Sequence, residues 1–282
     1  MNSKKTREIL QINTARPASD GAGVKLNRVF SGTPDLYDPF LLLDAFGSDE
    51  ATDYIAGFPS HPHRGFETVT YMLEGKMLHE DHMGNKGLLN NGDVQWMTAA
   101  RGIIHSEMPQ QEEGRMSGFQ LWVNLPATEK MKDPSYRDIP ASNIPETNFD
   151  GVKVKAIAGE VDFNGKHLIG AVSGLSSEPL YLDVHMPNDS EISIPIVDGH
   201  TALIYVYEGS VDVAGKNIKQ TQLAILSKEG VVSAKSVKNA RFLLLAGKPL
   251  EEPVVQHGPF VMNTAQEIEQ AIQDYRAGSL TT

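Results

Sequence analysis

The chain has 282 residues and a formal net charge of −11, and 40% of its residues are hydrophobic. This length suits two domains, and the acidic balance argues against direct binding to nucleic acid or to an anionic membrane surface. The chain has no cysteine, which excludes disulfides, thiolate metal ligands and cysteine nucleophiles, so any metal must be bound by nitrogen and oxygen.

The N-terminal segment carries basic residues without an apolar run behind them, so we expect no signal peptide. No stretch approaches the roughly 20 apolar residues of a membrane span. We therefore expect a cytoplasmic protein that does not associate with a membrane.

Short β-rich segments separated by turn sequences fill the first half of the chain. After an early strand and loop within residues 16–29, a buried strand or a turn is predicted at residues 40–43, and strands are predicted at residues 68–73, 77–82, 94–97, 103–105 and 119–125. Strands this short, with a turn about every eight to twelve residues, indicate an all-β sandwich or barrel.

The pattern breaks in the middle of the chain and then resumes. Prolines and a polar run predict a linker over residues 136–152, between a first domain at 1–135 and a second at 153–282. Strands are predicted in the second domain at residues 152–158, 181–185, 202–208, 211–214, 223–226 and 241–246. The hairpin sequence at 205–209 resembles that at 71–75, which predicts an internal duplication.

One helix is predicted, at the C-terminus. Thr264 and Glu267 form a capping-box sequence, and Gly278 suits the end of the helix. The apolar face between them comprises Ile268, Ala271, Ile272 and Tyr275.

Two short pairs of metal-binding residues are the strongest functional signal. They are His61-Pro62-His63 and His105-Ser106-Glu107. On a β-strand, residues two apart point to the same face, so neighbouring strands would bring His61, His63, His105 and Glu107 to one point. Three imidazoles and a carboxylate would bind a transition metal, and in an octahedral sphere they leave two positions open.

Glu67 is an alternative carboxylate ligand. It lies an even number of residues from His61 and His63, so strand parity alone would place it on the same face. The choice between Glu67 and Glu107 stays open on the residues alone.

Other candidate residues have a weaker case. His79, Asp81 and His82 lack a second pair to complete a site, which favours a structural role or a hydrogen bond to a metal ligand. His185, His200 and His257 form no His-x-His pair, so the second domain is expected to be metal-free.

Aromatic and polar residues on the predicted strands could also line a pocket. Trp96, Met97, Phe119 and Trp122 are more typical of a core. Gln120, if it faces inward, needs a partner, for which a metal-bound water is one candidate.

Longer motifs then give a family resemblance. The segments 57–67 and 92–105 resemble the two motifs of cupins, which are double-sheet jelly rolls. The sequence also resembles the pirin family over nearly its whole length, at residues 61–69 (HPHRGFETV), 92–99 (GDVQWMTA), 105–109 (HSEMP), 120–125 (QLWVNL) and 256–264 (QHGPFVMNT). The resemblance implies two tandem cupin (jelly-roll β-barrel) domains, with iron in the N-terminal one only.

In the pirin pattern the ligands fall on His61, His63, His105 and Glu107, so the resemblance favours Glu107 over Glu67. It also implies Fe(II), whereas the donor set alone equally suits Mn, Ni, Cu, Co or Zn.

The resemblance implies quercetin 2,3-dioxygenase activity, in which O₂ opens the heterocycle of a flavonol and carbon monoxide is released. Glu107 would then be a base for the substrate hydroxyl as well as a ligand. The alternative is a non-catalytic, iron-dependent redox-sensing regulator that binds a protein partner, either a transcription factor or a metabolic enzyme. A cupin that a metal only stabilises is the third hypothesis.

Overall fold

The computed structural model describes residues 5–32, 34–163 and 165–282, and its regular structure is almost entirely β-strand, which confirms the all-β prediction. The helices are α1 (Pro34–Tyr37) and α2 (Ala265–Arg276). The strands are β1 (Ile9–Thr14), β2 (Arg16–Asp20), β3 (Val24–Ser31), β4 (Phe40–Ser48), β5 (Phe58–His63), β6 (Phe66–Glu74), β7 (Met77–Asp81), β8 (Lys86–Leu89), β9 (Val94–Thr98), β10 (Ile103–Pro109), β11 (Met116–Asn124), β12 (Ser135–Ile139), β13 (Glu146–Phe149), β14 (Val152–Ala158), β15 (Glu160–Phe163), β16 (Lys166–Ile169), β17 (Leu180–Met186), β18 (Ser190–Pro195), β19 (Thr201–Glu208), β20 (Ser210–Val213), β21 (Lys216–Lys219), β22 (Gln222–Leu226), β23 (Val231–Ser236), β24 (Ala240–Gly247), β25 (Val255–His257) and β26 (Phe260–Met262). Short 3₁₀ helices lie at Ala51–Asp53, Ala127–Glu129 and Ala141–Asn143.

The described residues divide into two compact units. The N unit comprises Arg16–Pro34, Phe40–Ala141 and Leu250–Thr282, and the C unit comprises Met1–Ala15, Asp35–Pro39 and Ser142–Pro249. These units differ from the predicted ranges 1–135 and 153–282 at both ends of the chain. The first strand belongs to the C unit because β1 pairs with β22. The terminal helix belongs to the N unit because its buried residues pack with those of β26 and with Ile104 of β10.

Each unit contains a seven-stranded and a four-stranded antiparallel sheet. The orders in the N unit are β12-β9-β6-β11-β4-β3-β2 and β5-β10-β7-β8, and those in the C unit are β1-β22-β19-β24-β17-β14-β13 and β18-β23-β20-β21. The two pairs of orders correspond position by position, as expected for the internal duplication, except that the edge strand β12 follows the other strands of the two N-unit sheets in the chain whereas β1 precedes those of the two C-unit sheets. A pair of such sheets is the arrangement of a double-sheet jelly roll.

The interior of the C unit is filled by aliphatic side chains. In β14, for example, Val152, Val154 and Ala156 enter the core, while Lys153 and Lys155 on the opposite face are partly exposed. This alternation is the expected result of the two-residue period of a strand. The interior of the N unit is more polar, and it contains the candidate site described below.

The C-terminal helix begins as its sequence predicts. The Oγ1 atom of Thr264 accepts a hydrogen bond from the backbone N–H of Glu267 (3.2 Å), and the Glu267 carboxylate accepts one from the backbone N–H of Thr264 (2.8 Å). Ile268 and Ala271 are buried, whereas Tyr275, at the end of the predicted apolar face, is 42% exposed. None of the helices that the structure describes is both long enough and apolar enough to span a membrane.

Candidate metal centre

Strands β5 and β10, which carry the two predicted ligand pairs, are antiparallel neighbours. His105 lies opposite His61, and Ile103 lies opposite His63. The register shifts between His105 and Glu107, so that Glu107 lies opposite Phe58. The expectation that the two pairs lie side by side is therefore confirmed.

The three imidazoles converge on one point. The Nε2 atoms of His61 and His63 are 3.0 Å apart, and candidate ligand atoms of His61, His63 and His105 all lie within 4.8 Å of one another. Nitrogen ligands bound at about 2.1 Å to a common ion would lie roughly 3 to 4 Å apart. Among the described residues, this is the one group of three or more histidines or carboxylates close enough to bind a single ion.

Backbone carbonyls orient two of the rings. Nδ1 of His61 lies 2.9 Å from the carbonyl oxygen of Pro59, and Nδ1 of His63 lies 3.4 Å from that of Pro259. A carbonyl oxygen only accepts, so in each neutral ring the proton belongs on Nδ1. The Nε2 lone pairs are then free to face an ion, which is the usual arrangement for a histidine ligand.

His105 supplies the clearest sign that the cluster suits a metal. Its Nε2 atom is buried and has no hydrogen-bond partner, although burying a polar nitrogen unpaired is costly. Burial, reinforced by the neighbouring imidazoles, lowers the pKa of His105 and of His63 well below the ordinary histidine value. Both rings are thus neutral, which is the form that binds metal.

Glu107, the fourth predicted ligand, lies on the same strand as His105. It is 4% exposed, it lines the same cavity as His61 and His63, and its Oε1 atom accepts a 2.8 Å hydrogen bond from the hydroxyl of Thr70. It is not part of the group of ligand atoms within 4.8 Å. Its role as the fourth ligand therefore stays a prediction.

Glu67 has a different environment. Its Oε1 atom accepts a 2.6 Å hydrogen bond from Thr98, burial raises the pKa of its carboxyl, and it does not line the cavity. Strand parity fails here because β5 ends at His63 and β6 begins at Phe66 in a different sheet. The chain turns between them at Gly65, which has a φ of +92°.

His61 and His63 line a cavity of about 610 Å³. Its apolar walls include Leu26, Leu42, Phe46, Phe58, Met77 and Trp122. Of the four apolar residues considered for a pocket, Trp122 lines it. Trp96, Met97 and Phe119 are buried and do not border it.

A row of polar residues crosses the seven-stranded sheet on the cavity side. Gln120 pairs in register with Thr70 on one neighbouring strand and with Asp44 on the other, and Asp44 pairs with Arg28. All four line the cavity. The partner of Gln120 is Thr70, at 2.6 Å.

Arg28 and Asp44 form an ion pair in this row. Nε and Nη2 of Arg28 donate to the two carboxylate oxygens of Asp44, at 2.9 and 2.7 Å. The hydrogen bond to Asp44 raises the pKa of Arg28, which stays charged, while burial raises the pKa of Asp44 against the opposing effect of Arg28. Sequence reasoning missed these two residues and Thr70, because cross-strand register brings them together and local spacing carries no signal for it.

The other histidines lie outside the cluster. Nδ1 of His79 lies 3.2 Å from Nδ1 of His105, and His82 accepts a hydrogen bond from the backbone of Ile104. In the C unit, His185 contacts Asp183 at 2.9 Å.

The chain is similar to known proteins over nearly its whole length. The sequence model described as Pirin matches residues 23–123, and that described as Pirin C-terminal cupin domain matches residues 181–281. A Pseudomonas aeruginosa protein provisionally named a quercetin 2,3-dioxygenase is 57% identical over 279 residues, covering 97% of this chain and 98% of the relative. Human pirin is 45% identical over 273 residues, covering 93% and 90%.

Comparison with solved structures also finds similarity over nearly the whole chain. A crystal structure of a quercetin 2,3-dioxygenase from Acinetobacter baumannii matches with a TM-score of 0.91 and 34% identity, covering 99% of both chains. A bacterial pirin from Escherichia coli in complex with nickel(II) shares the fold, with a TM-score of 0.64 and 20% identity over 85% of this chain and 99% of the other.

Proposed function

Since the chain belongs to the pirin family and folds as two tandem cupin domains, we propose that it is a metal-dependent dioxygenase that opens the ring of a flavonol-like aromatic. The observation that supports this best is the three-histidine cluster at the edge of an apolar-walled cavity. About 610 Å³ lies within the usual range of roughly 300 to 1,000 Å³ for small-molecule sites.

We propose Fe(II), bound by His61, His63, His105 and Glu107. The orphaned Nε2 of His105 and the carbonyl-oriented rings of His61 and His63 fit such an ion. Imidazole and carboxylate ligands suit nickel as well, and the Escherichia coli pirin is in complex with nickel(II) in its crystal structure. When bound, the metal would supply Lewis acidity toward a coordinated hydroxyl and open positions for substrate and O₂.

The protein's own residues would bind and orient the substrate. With Oε1 of Glu107 held by Thr70, its second oxygen is left to bind the ion or to take a hydroxyl proton. Trp122 and Phe58 offer faces for an aromatic ring. The carboxylate of Asp44 and the amide of Gln120 offer acceptors for further hydroxyls of a polyphenol.

O₂ consumption and carbon monoxide release with quercetin test this proposal. Apoprotein loaded anaerobically with Fe(II), or separately with Ni, Mn or Co, should turn over quercetin, and His61→Ala should abolish both metal binding and turnover. His185→Ala, in the C unit, is the matched control and should leave both unchanged. Stoichiometric metal in the folded wild type without turnover for any metal would refute catalysis on flavonols.

A regulatory role is the second candidate, because the ligand strand is tied to the terminal helix. Arg64, the residue after His63, donates to the Asp274 carboxylate at 2.7 Å and to the Leu280 carbonyl at 3.0 Å. A change in the metal could alter this connection and so the surface that a partner protein binds. Capture of one partner by the Fe(III) form and not by apoprotein would favour regulation, and capture that ignores the metal would count against it.

A further inference from the structure

We propose that His79 and Asp81 are positioning residues that set the orientation and basicity of the His105 ligand; this rests on the metal centre of the proposed function. Both lie on β7, which pairs with β10: Asp81 is opposite His105, and His79 is opposite Glu107. The side chain of His79 reaches diagonally, so that its Nδ1 lies 3.2 Å from Nδ1 of His105.

The positions of the protons on His79 and His105 follow from the requirement that His105 bind an ion. For His105 to bind an ion through its unpartnered Nε2, its proton must be on Nδ1. Two facing Nδ1 atoms make a hydrogen bond only if one donates and the other accepts, so His79 accepts at Nδ1 and carries its own proton on Nε2. That Nε2 is buried without a hydrogen-bond partner, and the nearby Oδ2 atom of Asp81 lies 3.5 Å from it, a distance that allows an electrostatic contact.

Asp81, the residue farthest from the ion in this series of contacts, is held in place by hydrogen bonds. Its side chain is fully buried. Its Oδ1 accepts from the backbone N–H groups of Met83 (2.9 Å) and Asn85 (3.0 Å), and its Oδ2 accepts from the side-chain amide of Asn85 (2.8 Å). We call the series of contacts from Asp81 through His79 to His105 the relay. A buried carboxylate at the far end of such a series makes the metal ligand more basic and holds its ring in place.

A competing explanation is that His79 only packs. The ring of Tyr136 stacks on it, with centroids 4.7 Å apart and planes 30° from parallel. Gly87, the cross-strand neighbour of His79, leaves the room for this, because a Cβ at Gly87 would collide with the Tyr136 oxygen. The stacking needs a flat ring at position 79, whereas the relay needs an acceptor atom.

Two substitutions separate these requirements. His79→Phe keeps a ring against Tyr136 and removes the acceptor, whereas His79→Asn loses the ring and keeps an oxygen near the position of Nδ1. Apoprotein would be titrated with Co²⁺ against a competing chelator, and the visible spectrum of the bound ion would report its coordination. His79→Phe should weaken Co²⁺ binding by about 10- to 100-fold and change the spectrum. His79→Asn keeps the acceptor for His105 but no longer reaches Asp81, so it should lose less affinity than His79→Phe and keep the wild-type spectrum.

Wild-type affinity in His79→Phe would overturn the proposal, and so would an equal or larger loss in His79→Asn. Thermal melting of each apoprotein shows whether it folds. If His79→Phe does not fold, Asp81→Asn tests the same chain from its other end, and unchanged Co²⁺ affinity there would refute the relay. A folded wild type that binds no Co²⁺ would instead overturn the metal centre itself, which separates the two failures.

Discussion

The N and C units share one strand order and differ in what their corresponding strands present to the interior. In the C unit, strands β18 and β23 contribute Ile192, Ile194, Val232 and Ala234 to a continuous apolar core. In the N unit, the corresponding strands β5 and β10 present His61, His63, His105 and Glu107. The same strand arrangement therefore surrounds an apolar core in the C unit and a candidate metal centre in the N unit.

The difference between the two interiors should also affect how each unit is stabilised. The N unit keeps Thr70, Asp44 and Gln120 along its cavity, where each polar group needs a partner, and the in-register row supplies those partners. A cavity also forfeits packing contacts that a filled core makes. We therefore expect the C unit to depend on packing and the N unit to depend more on its polar contacts and on a bound ion.

The largest expected difference between the units is the loss of unfolding free energy when one leucine in each is truncated. Leu244 is fully buried in the C-unit core, and Leu42 borders the N-unit cavity. Leu244→Ala should lower the free energy of unfolding by about 2 to 5 kcal/mol. Leu42→Ala should cost less, because its side chain already lacks neighbours on one side. Urea unfolding measures both, and equal losses would contradict the contrast in packing.

A buried lysine should give the N unit a pH dependence of its own. Lys130 is 1% exposed, and its Nζ donates to the Gly65 carbonyl (2.7 Å), the Asn124 side chain (2.6 Å) and the Val261 carbonyl (3.1 Å). Burial lowers the pKa of Lys130 to about 8, from 10.5. Between these values the unfolded chain binds more protons, so the free energy of unfolding should rise with pH, by at most about 3 kcal/mol.

Lys130→Met should remove this rise in urea unfolding measured from about pH 7.5 to 10.5, which spans the folded and unfolded values. The C unit offers the contrast, because its buried cation is Arg7, whose guanidinium donates to the carbonyls of His200, Val197, Ser227 and Gly230. Burial lowers the pKa of Arg7, but an arginine stays charged over this range. A rise that persists in Lys130→Met would show that another group carries it.

Metal binding should stabilise one unit selectively. An ion at about 100 times its dissociation constant adds about 2.7 kcal/mol to the folded state. Hydrogen exchange should show this added protection on β5 and β10 and leave β18 and β23 unchanged. Equal protection of both units, or none after stoichiometric loading, would argue that the ion binds elsewhere.

Local patterns predicted much of this contrast. The three histidines followed from the parity of single strands, and the C-terminal helix from its capping box. The position of Glu67 did not follow, because parity holds only within one continuous strand and Gly65 breaks it. The exchange of terminal segments between units and the pairing of Arg28 with Asp44 depend on contacts far apart in sequence, for which a single strand carries no periodic signal.

The smallest expected effect is at the terminal helix, which belongs to the N unit. The hydrogen bond from Arg64, followed by that from Gln270, lowers the pKa of the Asp274 carboxyl. The resulting stabilisation is fully present above the unfolded value of 3.8 and is lost as the pH falls through the lower folded value. Asp274→Asn should cost about 0.5 to 1 kcal/mol at neutral pH and flatten the acid limb of the stability curve. Since Arg64 directly follows His63, a weaker metal affinity in Asp274→Asn would also show that the helix supports the ligand strand, whereas unchanged affinity would confine its role to holding the C-terminus in place.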